Sequence, residues 1–103
     1  MGNVMQQTPL ENSRAIVTGA SSGIGEGIAR AFARAGASVI VNYRSDGKAA
    51  ERIAADIRKD GGIAEAVQAD VSAPDGCAQL FEAADTQFGG TDIRVSNAGI
   101  QRD

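Results

Sequence analysis

A short apolar strand that leads directly into a glycine-rich turn is the feature that most limits the folds open to this chain. The segment Arg14-Ala15-Ile16-Val17-Thr18 contains β-branched residues and is followed at once by glycine, which predicts a buried strand. The turn from Thr18 to Gly25 has glycines spaced G-x-x-x-G-x-G, and a helical pattern follows it. A strand, a glycine turn and a helix in this order begin an α/β fold.

The rest of the chain continues the same alternation. Apolar spacing predicts strands over 14–18, 37–43, 63–70 and 92–96, and helices over 25–35 and 47–60. A third helix is predicted to be capped by Ser72, with Pro74 in its first turn, and to end at Gly89-Gly90. Its expected buried stripe consists of Cys77, Leu80, Phe81, Ala84 and Phe88.

The order β-α-β-α-β-α-β determines the expected fold class. Strands separated by helical crossovers pair in parallel with right-handed connections. The chain is therefore predicted to form an α/β structure with a Rossmann-type doubly wound parallel sheet, present in incomplete form. Residues 1–13 are interpreted as a loose N-terminal arm, and residues 14–103 as one nucleotide-binding domain.

Composition narrows the partners that the chain can have. Its 103 residues make one domain at most, because ordinary domains have roughly 100–200 residues. A net charge of −3 argues against nucleic acid and anionic membrane surfaces, and leaves a small molecule as the expected partner. One cysteine, Cys77, no histidine and no signal-peptide pattern indicate a reducing, cytoplasmic setting without a metal centre.

The glycine turn has the chemistry of a phosphate cradle. Gly19 lets the chain turn sharply off the strand, while Gly23 and Gly25 remove side chains where a pyrophosphate and the strand would approach the helix. The helix N-terminus offers unpaired N–H groups and the positive end of its dipole. A turn that needs glycine for geometry alone is the simpler alternative.

A second alternative is a hydrolase. Gly19-Ala20-Ser21-Ser22-Gly23 also satisfies the G-x-S-x-G nucleophile elbow, which lies between a strand and a helix. An elbow normally follows several strands rather than the first, and it does not require the additional Gly25. Both features favour the phosphate cradle.

Three motifs together resemble the short-chain dehydrogenase/reductase family. They are Thr18 to Gly25, which resembles T-G-x-x-x-G-x-G, then Asp70-Val71, and finally Asn97-Ala98-Gly99, which resembles the end of N-N-A-G. The resemblance covers residues 14–103, and within the family it is greatest to glucose dehydrogenases and acyl-carrier-protein reductases. It implies a cofactor site in which Ser21, Ser22 and Ile24 line the pyrophosphate turn.

The same resemblance implies roles for the other two motifs. Asp70 and Val71 would flank the adenine, and Asn97, Ala98 and Gly99 would border the adenosine ribose and hold the central sheet. Taken alone, Asp70 has the alternative interpretation of a solvated acid at a strand end, and Asn97-Ala98-Gly99 that of a common turn.

The residues after the second predicted strand favour NADP over NAD. An acid at that position would bind the ribose hydroxyl of NAD, but here the chain has Tyr43 followed by Arg44 and Ser45. A guanidinium suits a 2′-phosphate, and Asn42 and Ser45 are expected to be neutral donors. A solvated arginine, or one paired with Asp46, is the alternative, and NAD remains a possible cofactor.

The catalytic residues that the family implies are missing. Hydride transfer between NADP and an alcohol or carbonyl substrate would require a Tyr-x-x-x-Lys pair with a serine and an asparagine. Tyr43, the only tyrosine, is followed four residues later by Gly47. The chain is therefore expected to be the cofactor-binding half of a homo-oligomeric oxidoreductase, inactive by itself; the alternative is a non-catalytic dinucleotide-binding module or truncated remnant.

Two residues of the fourth predicted strand depart from the family pattern. Ser96 replaces an asparagine, and Arg94 interrupts an otherwise apolar strand. In a complete parallel sheet, both faces of such a strand are covered, and an unpaired buried charge would cost several kcal/mol. Arg94 is therefore expected to pair with another group or to reach solvent; the alternative is that this copy of the sequence is decaying.

Overall fold

The computed structural model describes residues 9–97, in which strands and helices alternate as predicted. The elements are β1 (Arg14–Val17), α1 (Gly23–Arg34), β2 (Ser38–Tyr43), α2 (Gly47–Lys59), β3 (Ile63–Gln68), α3 (Pro74–Phe88) and β4 (Ile93–Val95). The predicted β-α-β-α-β-α-β order is confirmed. Within the described range, none of the helices is both long enough and apolar enough to cross a bilayer.

The four strands form one parallel sheet in the order β3-β2-β1-β4. Ile16 of β1 lies opposite Ile40 of β2 and Arg94 of β4, so β1 is the central strand. After β3 the chain returns across the sheet to add β4 on the far side of β1. The strand order therefore reverses between β1 and β4, and the carboxyl ends of these two strands border a crevice at that point.

Helices cover both faces of the sheet because the strands are apolar on both sides. One core contains Val17, Val39 and Val41 together with residues of α1 and α2, including Ala29 and Ile53. A second core joins Ile16 and Ile40 to Leu80 and Ala84 of α3. Burying a side chain the size of isoleucine contributes roughly 1.5–3 kcal/mol. The prediction of a Rossmann-type doubly wound sheet is confirmed.

The buried face of α3 differs from the predicted stripe. Gly76, Leu80 and Ala84 are buried at successive intervals of four residues, whereas Phe81 is 39% exposed and Cys77 is only partly buried. A spacing of four residues keeps side chains on one side of a helix, and Phe81 lies one position past that line. The prediction that Phe81 belongs to the core was wrong.

The N-terminus of α3 also differs from its prediction. The N-cap residue is Ala73, and the Ser72 hydroxyl instead donates to the Asp70 carboxylate at 2.6 Å. A hydrogen bond to an ionised acceptor is about twice as strong as a neutral one, which explains why the serine turns toward Asp70. Pro74 does occupy the first turn, as predicted.

Arg94 reaches solvent in the described part of the chain. Its side chain is exposed, its guanidinium carbon lies 5.8 Å from the centre of the Phe81 ring, and Nη2 is 3.9 Å from Cys77 Sγ. Within residues 9–97, β4 pairs with β1 alone and is an edge strand, and the exposed guanidinium lies beside α3. The possibility of a buried unpaired charge is therefore not realised in this structure.

The last residues of the predicted N-terminal arm contact the domain. Leu10 packs against the first core, and its amide donates to the Ala35 carbonyl at 2.8 Å. The Ser13 carbonyl in turn accepts from the Ser38 amide at 2.9 Å. Residues 1–8 of the arm lie outside the described range.

Two glycine-to-alanine substitutions test this packing in opposite directions. A Cβ at Gly27 in α1 would meet no atom within 4 Å, so Gly27→Ala is expected to raise the free energy of unfolding by up to about 1 kcal/mol. A Cβ at Gly76 would overlap the Asp70 carbonyl, so Gly76→Ala should lower it by on the order of 1–3 kcal/mol. Urea unfolding followed by circular dichroism measures both, and an equal effect of the two changes would contradict the packing of α3.

Candidate functional site

The turn between β1 and α1 needs each of its three glycines for a physical reason. Gly19 and Gly23 have φ angles of 60° and 62°, in the left-handed region that disfavours residues with a Cβ. A Cβ at Gly25 would overlap the Gly19 carbonyl and lie 2.6 Å from Asn97 Nδ2. The spacing therefore serves two left-handed turns and one close approach of helix to strand.

Two buried asparagines hold this turn from either side. Asn42, at the end of β2, accepts the Gly19 N–H at its Oδ1 over 3.1 Å, and its main-chain carbonyl accepts the Ala20 N–H over 2.8 Å. Asn97, after β4, donates from Nδ2 to the Gly19 carbonyl at 3.1 Å. The first residues of the turn are thus fixed to both neighbouring strands.

The N-terminus of α1 is left open. Ser22 is the N-cap residue, but its side chain makes no capping hydrogen bond. Within residues 9–97, the amides of Gly23, Ile24 and Gly25 donate no hydrogen bond. Ser22 and Gly23 are exposed, and so is the Ile24 side chain, at 58%. Free N–H groups at a helix start, beside an exposed apolar side chain, are suited to an anionic ligand that also has an apolar part.

Ser21 is poorly placed for the hydrolase alternative. A nucleophile elbow presents its serine to substrate on a strained turn. Ser21 is only 4% exposed, and Asn12 is the only non-glycine residue between 9 and 97 with a positive φ. The turn also follows the first strand of the chain. These observations favour the phosphate cradle.

Thr18 extends the pairing of β1 and β4 to the edge of the crevice. Its amide and its hydroxyl both donate to the Val95 carbonyl, at 3.0 and 3.2 Å, and Oγ1 accepts the Asn97 N–H at 2.7 Å. This residue was not among the predicted site residues. Its place as the first residue of the glycine motif was the signal that could have identified it.

The residues predicted to select the cofactor lie past the carboxyl end of β2. The Tyr43 ring packs against Gly47, with ring atoms 3.2 to 3.3 Å from the position of a Cβ there. Arg44 and Ser45 are exposed, and Gln68 Nε2 donates to the Arg44 carbonyl at 3.0 Å. Asp46 caps α2 by accepting from the Ala49 amide at 3.2 Å. The structure thus places Arg44 just past the carboxyl end of β2, at the same edge of the sheet as the glycine turn.

Asn42 does not have the role expected for it. It is 2% exposed, and its Nδ2 lies 3.2 Å from the carbonyl oxygens of Val67 and Ala69, so the amide has no free donor facing solvent. The prediction that Asn42 is a neutral donor to phosphate was wrong. The residue at the end of a buried strand faces its neighbouring strands, and their main-chain groups satisfy its amide.

Asp70 follows β3 at the same edge of the sheet and is held as a carboxylate. The hydroxyl of Ser72 donates to it at 2.6 Å and the amide of Ser72 at 3.0 Å. These hydrogen bonds, with a smaller contribution from the positive charge of Arg44, hold the pKa of Asp70 below its ordinary value. Val71 is partly buried beside it. The predicted adenine residues and Arg44 are therefore close neighbours.

One buried polar atom at this edge has no partner. Asn97 is 1% exposed, and its Oδ1 accepts no hydrogen bond within the described residues. Ala98 and Gly99, the other members of this predicted motif, lie outside the described range. An unsatisfied buried acceptor costs about 1–3 kcal/mol, so a donor at Asn97, such as a ligand hydroxyl, would be stabilising.

A separate groove lies at the opposite edge of the sheet. It runs between the C-terminal ends of α1 and α2 and is lined by residues such as Arg34, Ile57 and Gly62. The ends of these helices present carbonyl groups and not N–H groups, which disfavours anions. The N–H groups suited to binding phosphate therefore lie at the carboxyl edge of the sheet, around the glycine turn.

Comparison with protein families gives one match that covers most of the chain. Residues 13–103 match the family model described as short chain dehydrogenase. An uncharacterized oxidoreductase of Methylorubrum extorquens is 50% identical over 91 residues, which are 88% of this chain and 37% of that protein. The 3beta-hydroxysteroid dehydrogenase 1 of Eggerthella lenta is 47% identical over 92 residues, 89% of this chain and 35% of that protein.

Solved structures show the same similarity. A short chain dehydrogenase from Mycobacterium avium superposes with a TM-score of 0.84 at 40% identity, over 92% of this chain and 37% of the other. A hydroxysteroid dehydrogenase from Escherichia coli superposes with a TM-score of 0.80 at 37% identity, over 86% of this chain and 37% of the other. The chain spans little more than a third of the length of these relatives.

Removing the Ser72 hydroxyl tests the electrostatics of Asp70. In Ser72→Ala, the carboxyl pKa of Asp70 should rise toward the ordinary value of about 3.9 but stay below it, because the backbone amide at position 72 still donates. A ¹³C NMR titration of the carboxyl carbon measures this change, with Ser13→Ala as the control. A fall in the pKa, or no change, would contradict the hydrogen bond from Ser72.

The same variant has a consequence for acid stability. A carboxyl whose folded pKa is depressed stabilises the fold above its unfolded pKa, and this contribution is lost as pH falls through the folded pKa. In Ser72→Ala the folded pKa of Asp70 lies closer to the unfolded value. Less stability therefore depends on its ionisation, and the loss of stability below about pH 4 should be shallower.

Proposed function

Because the chain belongs to the short-chain dehydrogenase family, we propose that its residues 14–103 form the dinucleotide-binding part of an oxidoreductase and that this part binds NADP. The observation that carries the proposal is the open N-terminus of α1. Its amides at Gly23, Ile24 and Gly25 have no partner within the described residues, and two of these three residues are glycines, which present no side chain to a ligand.

The pyrophosphate is proposed to bind across this turn. The residues involved would be Gly19, Ser21, Ser22, Gly23, Ile24 and Gly25. The α1 dipole and the unpaired N–H groups stabilise negative charge at the helix start, and the exposed Ser22 hydroxyl adds a donor. A side chain at Gly25 would push α1 away from the Gly19 carbonyl and move these donors. The exposed Ile24 side chain would be covered by the ligand.

The adenosine end is proposed to lie along the carboxyl ends of β2, β3 and β4. Asp70 and Val71 would flank the adenine, and Asn97 would border the ribose, with Ala98 and Gly99 following it in the chain. The buried Oδ1 of Asn97 is an acceptor without a partner in the described structure, which a ribose hydroxyl would satisfy. The ionised Asp70 offers an acceptor to the adenine amino group.

NADP is proposed over NAD because the end of β2 carries no acid. Tyr43, Arg44 and Ser45 occupy the positions past this strand, and the guanidinium of Arg44 suits the bidentate geometry of a 2′-phosphate. NAD would bind without this contact and therefore more weakly.

The complete protein is proposed to act on an alcohol or a carbonyl compound in the cytoplasm, as a homo-oligomer. A bound nicotinamide dinucleotide supplies the hydride donor or acceptor in such a reaction. Two of the similar proteins are named as hydroxysteroid dehydrogenases, which supports this substrate class. In this chain the only tyrosine is Tyr43, and Gly47 stands where a Tyr-x-x-x-Lys pair would require lysine. This chain by itself is expected to bind cofactor without transferring hydride.

Replacing Arg44 tests the cofactor preference. A hydrogen-bonded charged group contributes about 1.5–3 kcal/mol, so Arg44→Ala should weaken NADP binding roughly 10- to 100-fold and leave NAD binding within about threefold. Isothermal titration calorimetry with both dinucleotides gives the two ratios. Lys48→Ala, which removes an exposed cation from the first turn of α2, is the matched control.

Two results would overturn parts of the proposal. An equal loss of NADP and NAD affinity in Arg44→Ala would remove the assignment of NADP, while leaving dinucleotide binding intact. No binding of either dinucleotide to the wild-type chain would remove the proposed binding function of residues 14–103.

A further inference from the structure

Asn42 is a buried amide whose hydrogen bonds join three segments of the proposed cofactor site. It is 2% exposed at the end of β2, between the glycine turn and the end of β3. Its Oδ1 accepts from the Gly19 amide at 3.1 Å. Its Nδ2 lies 3.2 Å from the carbonyl oxygens of Val67 and Ala69, and 3.3 Å from that of Tyr43. The side chain thus contacts main-chain groups of all three segments.

The surrounding groups fix the orientation of this amide. One side meets an N–H donor, at Gly19, and the other meets carbonyl acceptors from β2 and β3. A flipped amide would place two donors against each other on one side and oxygen against carbonyl oxygen on the other. Only a side chain with an acceptor and a donor at these two places satisfies the site, and asparagine has that shape.

These bonds decide which amides of the turn face a ligand. The Gly19 N–H is taken by the Asn42 side chain and the Ala20 N–H by the Asn42 carbonyl. The donors of the turn that have no partner within the described residues therefore come after Ala20, and they include those of the first turn of α1. On its other side, Asn42 holds the Ala69 carbonyl, directly before Asp70 and Val71. Main-chain bonds also join these segments to β2, from the Ala20 amide to the Asn42 carbonyl and from the Ala69 amide to the Tyr43 carbonyl at 3.0 Å. The Asn42 side chain adds a direct link between the phosphate end and the adenine end of the site.

We propose that Asn42 is a positioning residue of the dinucleotide site, which fixes the glycine turn relative to the loop at Asp70 without itself contacting the ligand. This inference rests on the proposed binding of NADP. Asn42 acts through Gly19 and Ala69. It does not contact the ligand, because its buried amide is already hydrogen-bonded to main-chain groups of the protein. Loss of the amide would leave the two hydrophobic cores intact, but the distance between the two ends of the site would no longer be fixed as tightly.

The substitution Asn42→Asp tests this proposal through pH. The change keeps the size of the side chain and the acceptor for Gly19, but it replaces the donor nitrogen by oxygen facing carbonyl groups. Burial and these carbonyls favour the neutral carboxyl, which carries an O–H donor. Relative to wild type, NADP affinity should fall at least tenfold at pH 7.5 and recover by pH 5.5.

Other charged groups near the site do not produce this profile. The charged residues near this edge include Arg44, Asp46, Lys48 and Asp70. Hydrogen bonds from Ser72 hold the pKa of Asp70 below its ordinary value, so it stays ionised over this range. All four residues are the same in wild type and variant, so their charges cancel in the ratio of the two affinities. The chain contains no histidine. Protonation of the 2′-phosphate of NADP affects wild type and variant alike, and it cancels in the ratio of their affinities.

Two further variants make the result specific. Asn42→Leu is similar in size but has neither donor nor acceptor, so its affinity should be low at both pH values. Gln68→Glu makes the same amide-to-acid change at an exposed residue of the neighbouring strand. Its affinity relative to wild type should be the same at pH 7.5 and pH 5.5, because an exposed carboxylate stays ionised.

Amide exchange at Gly19 gives a readout that needs no ligand. By NMR at pH 5.5, the Gly19 amide should exchange at least tenfold faster in Asn42→Leu than in wild type, and at nearly the wild-type rate in Asn42→Asp. Thermal unfolding of each variant shows whether it is folded under these conditions. If Asn42→Asp is unfolded at pH 7.5, the positioning role is tested at pH 5.5 by comparing the NADP affinity and the Gly19 exchange rate of Asn42→Asp with those of Asn42→Leu.

The outcomes separate the two proposals. Wild-type affinity of Asn42→Asp at pH 7.5, or equal affinity of Asn42→Asp and Asn42→Leu at pH 5.5, would overturn the positioning role. If the wild-type chain binds no NADP, the proposed function fails. In that case unchanged Gly19 exchange in Asn42→Leu overturns the role of Asn42, and faster exchange supports it.

Discussion

The close approach of α1 to the turn that follows β1 is the constraint on which the rest of the structure depends. Gly25 has no room for a side chain, because a Cβ there would overlap the Gly19 carbonyl and crowd the Asn97 amide. The helix can therefore begin directly against the carboxyl edge of the sheet. Its first amides therefore lie at the edge of the sheet at which the strand order reverses between β1 and β4. Without this contact, the donors and the crevice would not coincide.

The turn is stabilised by groups that come from distant parts of the sequence. Asn42 binds it from β2, and Asn97 binds it from the end of β4, 78 residues beyond Gly19. Both asparagines are buried, so each has its hydrogen bonds in a medium where an unpaired group is costly. The parallel sheet is what brings these residues together, since its strands end at one edge. The fold and the site are consequently held by the same contacts.

Sequence reasoning predicted the alternation of strands and helices, because periodicity and glycines are local signals. The glycine motif also identified the turn. It could not place Asn42, whose role depends on the carbonyls of Val67 and Ala69 across the sheet. The exposure of Phe81 depends on how α3 is rotated about its axis. Ser72 turns to Asp70 because a hydrogen bond to a carboxylate is stronger than one between two neutral groups. These outcomes depend on which of several possible groups a side chain contacts in the folded chain. A local sequence pattern does not contain that information.

Main-chain groups and side chains have different roles in the proposed site. This difference explains which of its binding properties a substitution alters easily. The donors proposed for the pyrophosphate are amides of α1, which any residue compatible with the backbone provides. The proposed preference for NADP instead depends on Arg44, an exposed side chain past the end of β2 with Asp70 close enough to it for their charges to interact. An exposed positive charge adds affinity for a 2′-phosphate only to the extent that a neighbouring carboxylate does not already compensate it. In the proposed site, dinucleotide binding thus follows from the fold, whereas the choice between NADP and NAD depends on the balance of charges among a few exposed residues.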